Sequence, residues 1–495
     1  MRVSEYYRLG RTQGTLDFVD VDIQDDVPMY IDPGMIRHLP DDWGKECLIM
    51  LTTFFDSVLD AVKTGDKKRA HYLLGNLGEP NETHLGFSAG RSAGRGFSHR
   101  MGIVLAEKLS ASEAARSGLI EDLEDTAFFV DGIGKDIVSD ITTNIIRGSL
   151  IAYTQQMAEV VGIPLGEGIE SGPVWSPHKQ EWEQAYVRLP VASNQKLLLV
   201  PKVIVRRDML MNRSDYYRNH LVPALKTEEL DNPSSRLVRT LKDGTRKINT
   251  YDIEAHYGTN KPAVTKETLQ RPDLYVHYRD LVKSSAPAAI SHEELSAASA
   301  APLPDFEELL REVLETPSGR EHANAYHRKI EALFTALFYP SLTMPEMEEE
   351  IHEGRKRIDI TYTNVAQRGF FRFLRQHKIK STYIMVECKN YGKEPGNPEI
   401  DQLASRFSPI RGQFGILACR SFADKDRFLK RCRDTALDYR GYVLALDDGD
   451  ISELVADALE AIRWVPSDPP PPQPEVKPEV EGYPLLYRRF KTLVN

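Results

Sequence analysis

Two short stretches decide how this chain is read: Arg355-Lys356-Arg357-Ile358-Asp359-Ile360-Thr361-Tyr362 and Thr382-Tyr383-Ile384-Met385-Val386-Glu387-Cys388-Lys389-Asn390. Both read as strands, because β-branched and aromatic residues dominate and no helical period runs through them. Each carries charge where a buried strand should have none. Asp359 stands between two isoleucines. Glu387 and Lys389 close an apolar run and, two apart, face the same side of their strand. A buried carboxylate beside a second carboxylate and an ammonium is costly unless something divalent binds there. These residues point to a hard-metal site, with Asp359 and Glu387 supplying anionic oxygens for Mg²⁺ and Lys389 handling a water or a phosphate. The competing reading is a structural salt-bridge cluster at strand ends.

Upstream, Tyr326, Ile330, Leu333, Phe334 and Leu337 make one helical stripe, and Glu331 flanks it. Downstream, Glu399-Ile400-Asp401-Gln402-Leu403 opens a helix, and residues 413–419 and 441–446 read as two later strands. A D…E-x-K pair set in this order of elements resembles the PD-(D/E)XK superfamily, the restriction-endonuclease-like nucleases, over roughly residues 306–463, about a third of the chain. Ile358 stands where the name-giving proline would be. The resemblance implies an α/β core, a mixed β-sheet flanked by helices, beside a separate α+β N-terminal domain. It implies a metal-dependent endonuclease that hydrolyses phosphodiester bonds with Mg²⁺, for which Mn²⁺ substitutes. The implied metal ligands are Asp359, Glu387, the backbone carbonyl of Cys388, and Glu331. Lys389 would orient or acidify the attacking water, and Gln402, matching a glutamine of Mrr-type members, would orient water or phosphate. The expected setting is a bacterial restriction or anti-phage defence effector acting on DNA, with partner defence proteins. Two other readings stand beside it: an RNA nuclease, since the chemistry does not read the sugar, and a nucleic-acid-binding or scaffold protein whose nuclease-like domain does not cut. Cutting both strands of a duplex needs two sites, so the chain is expected to form a homo-oligomer, at least a dimer.

Bulk properties fit this. A chain of 495 residues is too long for one ordinary core and suggests two to three domains. Its 41% apolar and 27% charged content is that of a soluble globular protein. A net charge of −10 does not exclude a nucleic-acid enzyme, whose contact face alone must be basic. Cys47, Cys388, Cys419 and Cys432 lack paired spacing, which argues against a zinc site or disulfide framework and for a reducing, cytoplasmic setting. No apolar run approaches the ~18–20 residues of a membrane span, and no signal-peptide core opens the chain.

Taken in order, residues 1–225 read as an N-terminal α+β sensor or assembly domain. Strands are expected at 18–23 and 29–32, the latter ending in a Pro33-Gly34 turn, with an amphipathic helix at 48–62. A Gly-rich stretch, 81–96, with Arg91, Arg95 and Arg100 is either a phosphate cradle or a loop; it fits no Walker A or dinucleotide fingerprint. Residues 128–130 lead into Asp131, Asp136 and Asp140 at the start of a long helix reaching about 161, where acidic residues suit the helix dipole. A strand is expected at 196–205, and Asp131 or Asp140 with Lys202 faintly echoes a second nuclease core. Residues 226–305 read as a basic, helical connector ending in an Ala/Ser/Pro linker; 251–269 faintly resembles a helix-turn-helix with Gly258 at its turn. Residues 306–465 form the nuclease-like domain. Within it, 368–380 interleaves aromatics with basic groups. Arg368, Arg372, Arg375, Lys378 and Lys380 there are expected to meet phosphates near the site, or to form the solvated side of a helix. Residues 466–495 are a polyproline spacer and an aromatic, basic tail, suited to docking on another subunit or domain.

Overall fold

The computed structural model describes residues 1–86, 99–285, 287–351, 356–392, 395–463 and 483–494. The protein is mixed α/β, and the one large sheet among the described residues lies in the C-terminal half. Five strands, β1 (Leu342–Ile351), β2 (Lys356–Asn364), β3 (Tyr383–Lys389), β4 (Phe414–Cys419) and β5 (Tyr442–Leu446), lie in sequence order across it. β1–β2 and β2–β3 are antiparallel; β3–β4 and β4–β5 are parallel. β4 is buried at every position, as a parallel strand covered on both faces must be. The helices are α1 (Phe306–Glu315), α2 (Ala323–Leu337), α3 (Gly369–Gln376), α4 (Asn397–Ala404), α5 (Lys425–Leu437), α6 (Asp448–Arg463) and α7 (Pro484–Val494). The stripe Tyr326, Ile330, Leu333, Phe334 and Leu337 of α2 is wholly buried, as its spacing predicts.

The terminal tail corrects an expectation. α7 docks on its own domain, burying Leu485, Leu486, Phe490 and Leu493 in the core that α2 and the sheet share, and the Tyr483 hydroxyl donates to the Leu337 carbonyl at 2.9 Å. The polyproline spacer lies outside the described residues.

The N-terminal half is largely helical, with long helices at Asp42–Thr64, Lys135–Ile145 and Arg147–Val161. Several expected strands are absent there. Residues 18–23 make only isolated bridges, Phe18 with Pro201 and Asp22 with Arg2. Pro33-Gly34 does not turn but opens helix Pro33–Arg37, capped by Asp32, whose carboxylate accepts the Gly34 N–H at 2.8 Å. Phe128 and Phe129 belong to helix Leu123–Phe129, and the long helix breaks at Ile146. Most of 196–205 forms no ladder, because its backbone bonds elsewhere: Leu198 N–H goes to the Glu82 carbonyl at 2.8 Å and Leu199 N–H to Thr154 Oγ1 at 2.9 Å.

One apolar core runs from Val3 to Leu295 and takes in Tyr339, Met344 and Val365 of the C-terminal half, across the expected boundaries at 225 and 305. The connector helix Pro272–Ser284 is tied in by Asp125, fully buried, which accepts from the Tyr275 hydroxyl at 2.6 Å and faces Arg279 at 3.4 Å. Within the connector, Arg239–Thr240 pairs with Arg246–Lys247 as a basic hairpin, and Gly258 turns between helices Thr250–Tyr257 and Lys261–Leu269 with φ +84. The Ala/Ser/Pro stretch is not loose either. Helix His292–Ser299 is closed by a Ser291–Glu294 capping box, Leu295 is buried, and the Ile290 carbonyl accepts from the Tyr339 hydroxyl at 2.6 Å.

The two halves meet through polar contacts as well. Asp17, 4% exposed, accepts from Thr343 Oγ1 at 2.7 Å and the Met344 N–H at 3.0 Å on β1, and from the Tyr153 hydroxyl at 2.7 Å. Asp17→Ala strands three buried donors and is expected to cost about 3 kcal/mol in urea unfolding, on a scale of ~1–3 kcal/mol per stranded group. A loss under ~1 kcal/mol would show that this seam contributes little to stability.

Candidate metal centre

Ile360 pairs with Val386, which sets Asp359 and Glu387 opposite each other one position further along. Asp359 is turned back to the sheet: its Oδ2 accepts the Cys388 N–H at 2.8 Å, and His327 Nε2 lies 3.9 Å away. Glu387 is fully buried. Its Oε1 accepts from Lys389 Nζ at 2.6 Å, and its Oε2 faces the guanidinium of Arg406. That second contact is a direct ion pair through Arg406 Nη1, and Arg406 Nε is buried with no hydrogen-bond partner among the described residues. Arg406 is 5% and Lys389 8% exposed. Burial pushes the Arg406 pKa down, against the pull of Asp359. Burial also raises the Cys388 thiol well above its ordinary value, so that residue can offer only its backbone to a hard cation.

The end of β3 is held rigidly. Asn390 Nδ2 donates to the carbonyls of Pro317 at 2.9 Å and Gly319 at 3.1 Å. Arg420 donates to Thr316 and Leu314 carbonyls at 2.6 and 2.8 Å and pairs with Asp448 at 3.0 Å. The loop between α1 and α2 is thereby fastened to the strand that carries Glu387 and Lys389.

Glu331 is placed differently from the expectation. Its Oε1 accepts from Thr335 Oγ1 at 3.0 Å, and its Oε2 pairs with Arg11, which comes from the N-terminal half. The side chain of α2 beside Asp359 is His327, one turn earlier. Burial works against the Arg11 charge, but Glu331 outweighs it and the net pKa is raised. Gln402 is exposed on α4, one turn before Arg406. The basic stretch is also displaced. α3 joins the ends of β2 and β3 remote from the acids, and the Thr363–Tyr383 pair lies four residues, on the order of 13 Å, along the strands from Asp359 and Glu387. Lying between the two acidic strands in sequence does not bring it to the site, because each strand intervenes. Phe370, Phe371 and Leu374 are buried, Arg372 and Arg375 half-buried, and Arg368, Lys378 and Lys380 exposed.

The echo of a second core does not assemble. Lys202 is fully buried, with Nζ 3.4 Å from the Gln13 carbonyl and 4.2 Å from the Tyr339 ring centre. Asp131 is exposed. Burial, then Asp136, Glu79 and Asp26, raise the Asp140 carboxyl from its ordinary 3.8 to about 8. The native state thus keeps a proton that the unfolded chain loses above about pH 4, so this group's contribution to stability falls as pH rises toward 8. Asp140→Asn is expected to raise the melting temperature at pH 8 and leave it unchanged near pH 4; an equal shift at both would contradict this. Of the Gly-rich stretch, 87–98 with Arg91 and Arg95 lies outside the described residues, and Arg100 is exposed on helix His99–Ala111.

Among the described residues no three His, Cys, Asp or Glu side chains converge as a metal-holding group. The donor chemistry still suits a hard cation at Asp359 and Glu387. Two carboxylates lie on adjacent strands, and one of them, Glu387, is fully buried and already matched by two cations, Lys389 and Arg406. Arg406 and Arg11 are the functional candidates that sequence reasoning missed. Arg406 carried a signal in its spacing of one turn from Gln402; Arg11, 320 residues from Glu331, carried none. All four cysteines are buried free thiols, and among the described residues no helix is long and apolar enough to cross a membrane.

Residues 8–212 match a family model described as a domain of unknown function, DUF8370. No curated protein and no solved structure matches the chain.

Proposed function

We propose that the C-terminal half is a nuclease core of the PD-(D/E)XK type and that the chain is a Mg²⁺-dependent endonuclease acting on DNA. The observation that carries this reading is the placement of Asp359 and Glu387 one position beyond the Ile360–Val386 pair on adjacent strands, with Lys389 on Glu387 at 2.6 Å and the Cys388 N–H on Asp359 at 2.8 Å. Asp359, Glu387 and the Cys388 carbonyl would hold Mg²⁺, which supplies charge on the scissile phosphate and an acidified water. Lys389, fixed by Glu387, orients the attacking water or neutralises charge on the phosphate. The Cys388 N–H holds Asp359 in its rotamer. Glu331, tied to Arg11, fastens α2 to the N-terminal half. Lys378 and Lys380, exposed in the segment that joins the remote ends of β2 and β3, would meet backbone phosphates away from the cut. A dimer would supply the second site for double-strand cleavage, and a role as a cytoplasmic defence effector, working with partner proteins, follows from the nuclease reading joined to a large sensor-like half.

The test is incubation of the full chain with supercoiled plasmid, linear duplex, single-stranded DNA and RNA, each with Mg²⁺, Mn²⁺ or EDTA. Metal-dependent cutting of DNA is the expected result. Cutting of RNA alone would move the assignment to an RNA nuclease. Metal-independent binding without cutting of any substrate would favour the scaffold reading.

A further inference from the structure

We infer that Arg406 is the internal counter-ion of this site: it occupies the cation position at Glu387 in the metal-free protein and is displaced when a divalent ion binds. The inference rests on the metal reading above and concerns how that site is filled. A carboxylate with no exposure needs a compensating charge. Lys389 supplies one at Oε1 through a hydrogen bond of 2.6 Å. Arg406 supplies the other at Oε2 through direct contact of Nη1 alone, while its Nε is buried with no hydrogen-bond partner among the described residues. A buried arginine retained for structure normally uses its planar fork to bond carboxylates or carbonyls. Arg420 does so in this same domain, with three carbonyl or carboxylate partners within 3.0 Å.

The backbone of Arg406 is fixed independently of its guanidinium. Its N–H donates to the Leu403 carbonyl at 3.0 Å, and its own carbonyl accepts from Arg411 Nε and Nη2 at 3.3 and 3.1 Å. Withdrawal of the guanidinium therefore needs only rotamer changes. It frees one oxygen of Glu387 beside Asp359 and leaves Lys389 in place on the other.

The experiment is calorimetric titration of the full chain with MnCl₂, paired with thermal unfolding in EDTA and in MnCl₂. The proteins are wild type, Arg406→Met, Arg406→Lys and Glu387→Gln. The expected result is Mn²⁺ binding at least tenfold tighter in Arg406→Met, a lower melting temperature than wild type in EDTA, and recovery of that loss in MnCl₂. Arg406→Lys keeps the competing charge and is expected to stay within about threefold of wild type. If Arg406→Met does not fold without metal, its folding on addition of MnCl₂ is the same result, and its failure to fold there overturns the inference. Binding lost in Glu387→Gln but no tighter in Arg406→Met overturns the counter-ion role and leaves the nuclease reading standing. No Mn²⁺ binding by any of the proteins overturns both.

Discussion

Lys389→Ala is expected to lower Mg²⁺-dependent DNA cleavage by about 10²–10⁴-fold, the range for losing one positioned proton-transfer or charge-stabilising group. The variant should remain folded. Lys389 is buried, yet among the described residues its ammonium bonds only Glu387, and Arg406 stays on that carboxylate after the truncation. Charge at Glu387 is thus still matched, so the loss reads on the reaction and not on the fold. Plasmid nicking rates, with circular dichroism and melting curves on the same samples, separate the two. Unchanged cleavage by a well-folded Lys389→Ala would place the reaction elsewhere in the molecule.

Arg11→Met is expected to destabilise the protein by about 3–5 kcal/mol, the cost of breaking a buried pair and leaving one charge unmatched. Arg11 is 11% and Glu331 1% exposed, and without the guanidinium Glu331 keeps only Thr335 Oγ1. The double variant Arg11→Met with Glu331→Gln should recover most of that loss, since no buried charge is then left alone. Urea unfolding of the four proteins of this cycle measures the coupling. Additive losses in the cycle would mean that the pair does not hold the halves together. Arg11 lies within the DUF8370 match and Glu331 lies beyond it, so the pair joins the matched segment to the candidate nuclease core.

What could be read from the chain follows from how local each signal is. The α2 stripe, the strands bearing Asp359 and Glu387, and the later strands β4 and β5 all rest on short-range periodicity, and all are present. Strand readings in the N-terminal half failed where the backbone found other partners. Residues 198–199 bond to Glu82 and Thr154, distant in sequence, and Pro33 follows a capping Asp32 that turns a presumed stop into a helix start. The placement of the basic stretch failed because adjacency in sequence ignores the length of the strands on either side.

By itself the sequence determined the acids, the lysine and the strand and helix types around them, because alternation and helical spacing are properties of neighbouring residues. Only the tertiary structure decided which cations meet those acids. Arg406 reaches Glu387 from the end of α4, Arg11 reaches Glu331 from the other half of the chain, and His327, not Glu331, stands beside Asp359. The physical reason is that a buried charge takes whichever opposite charge packing brings within reach, and that choice leaves no trace in local periodicity.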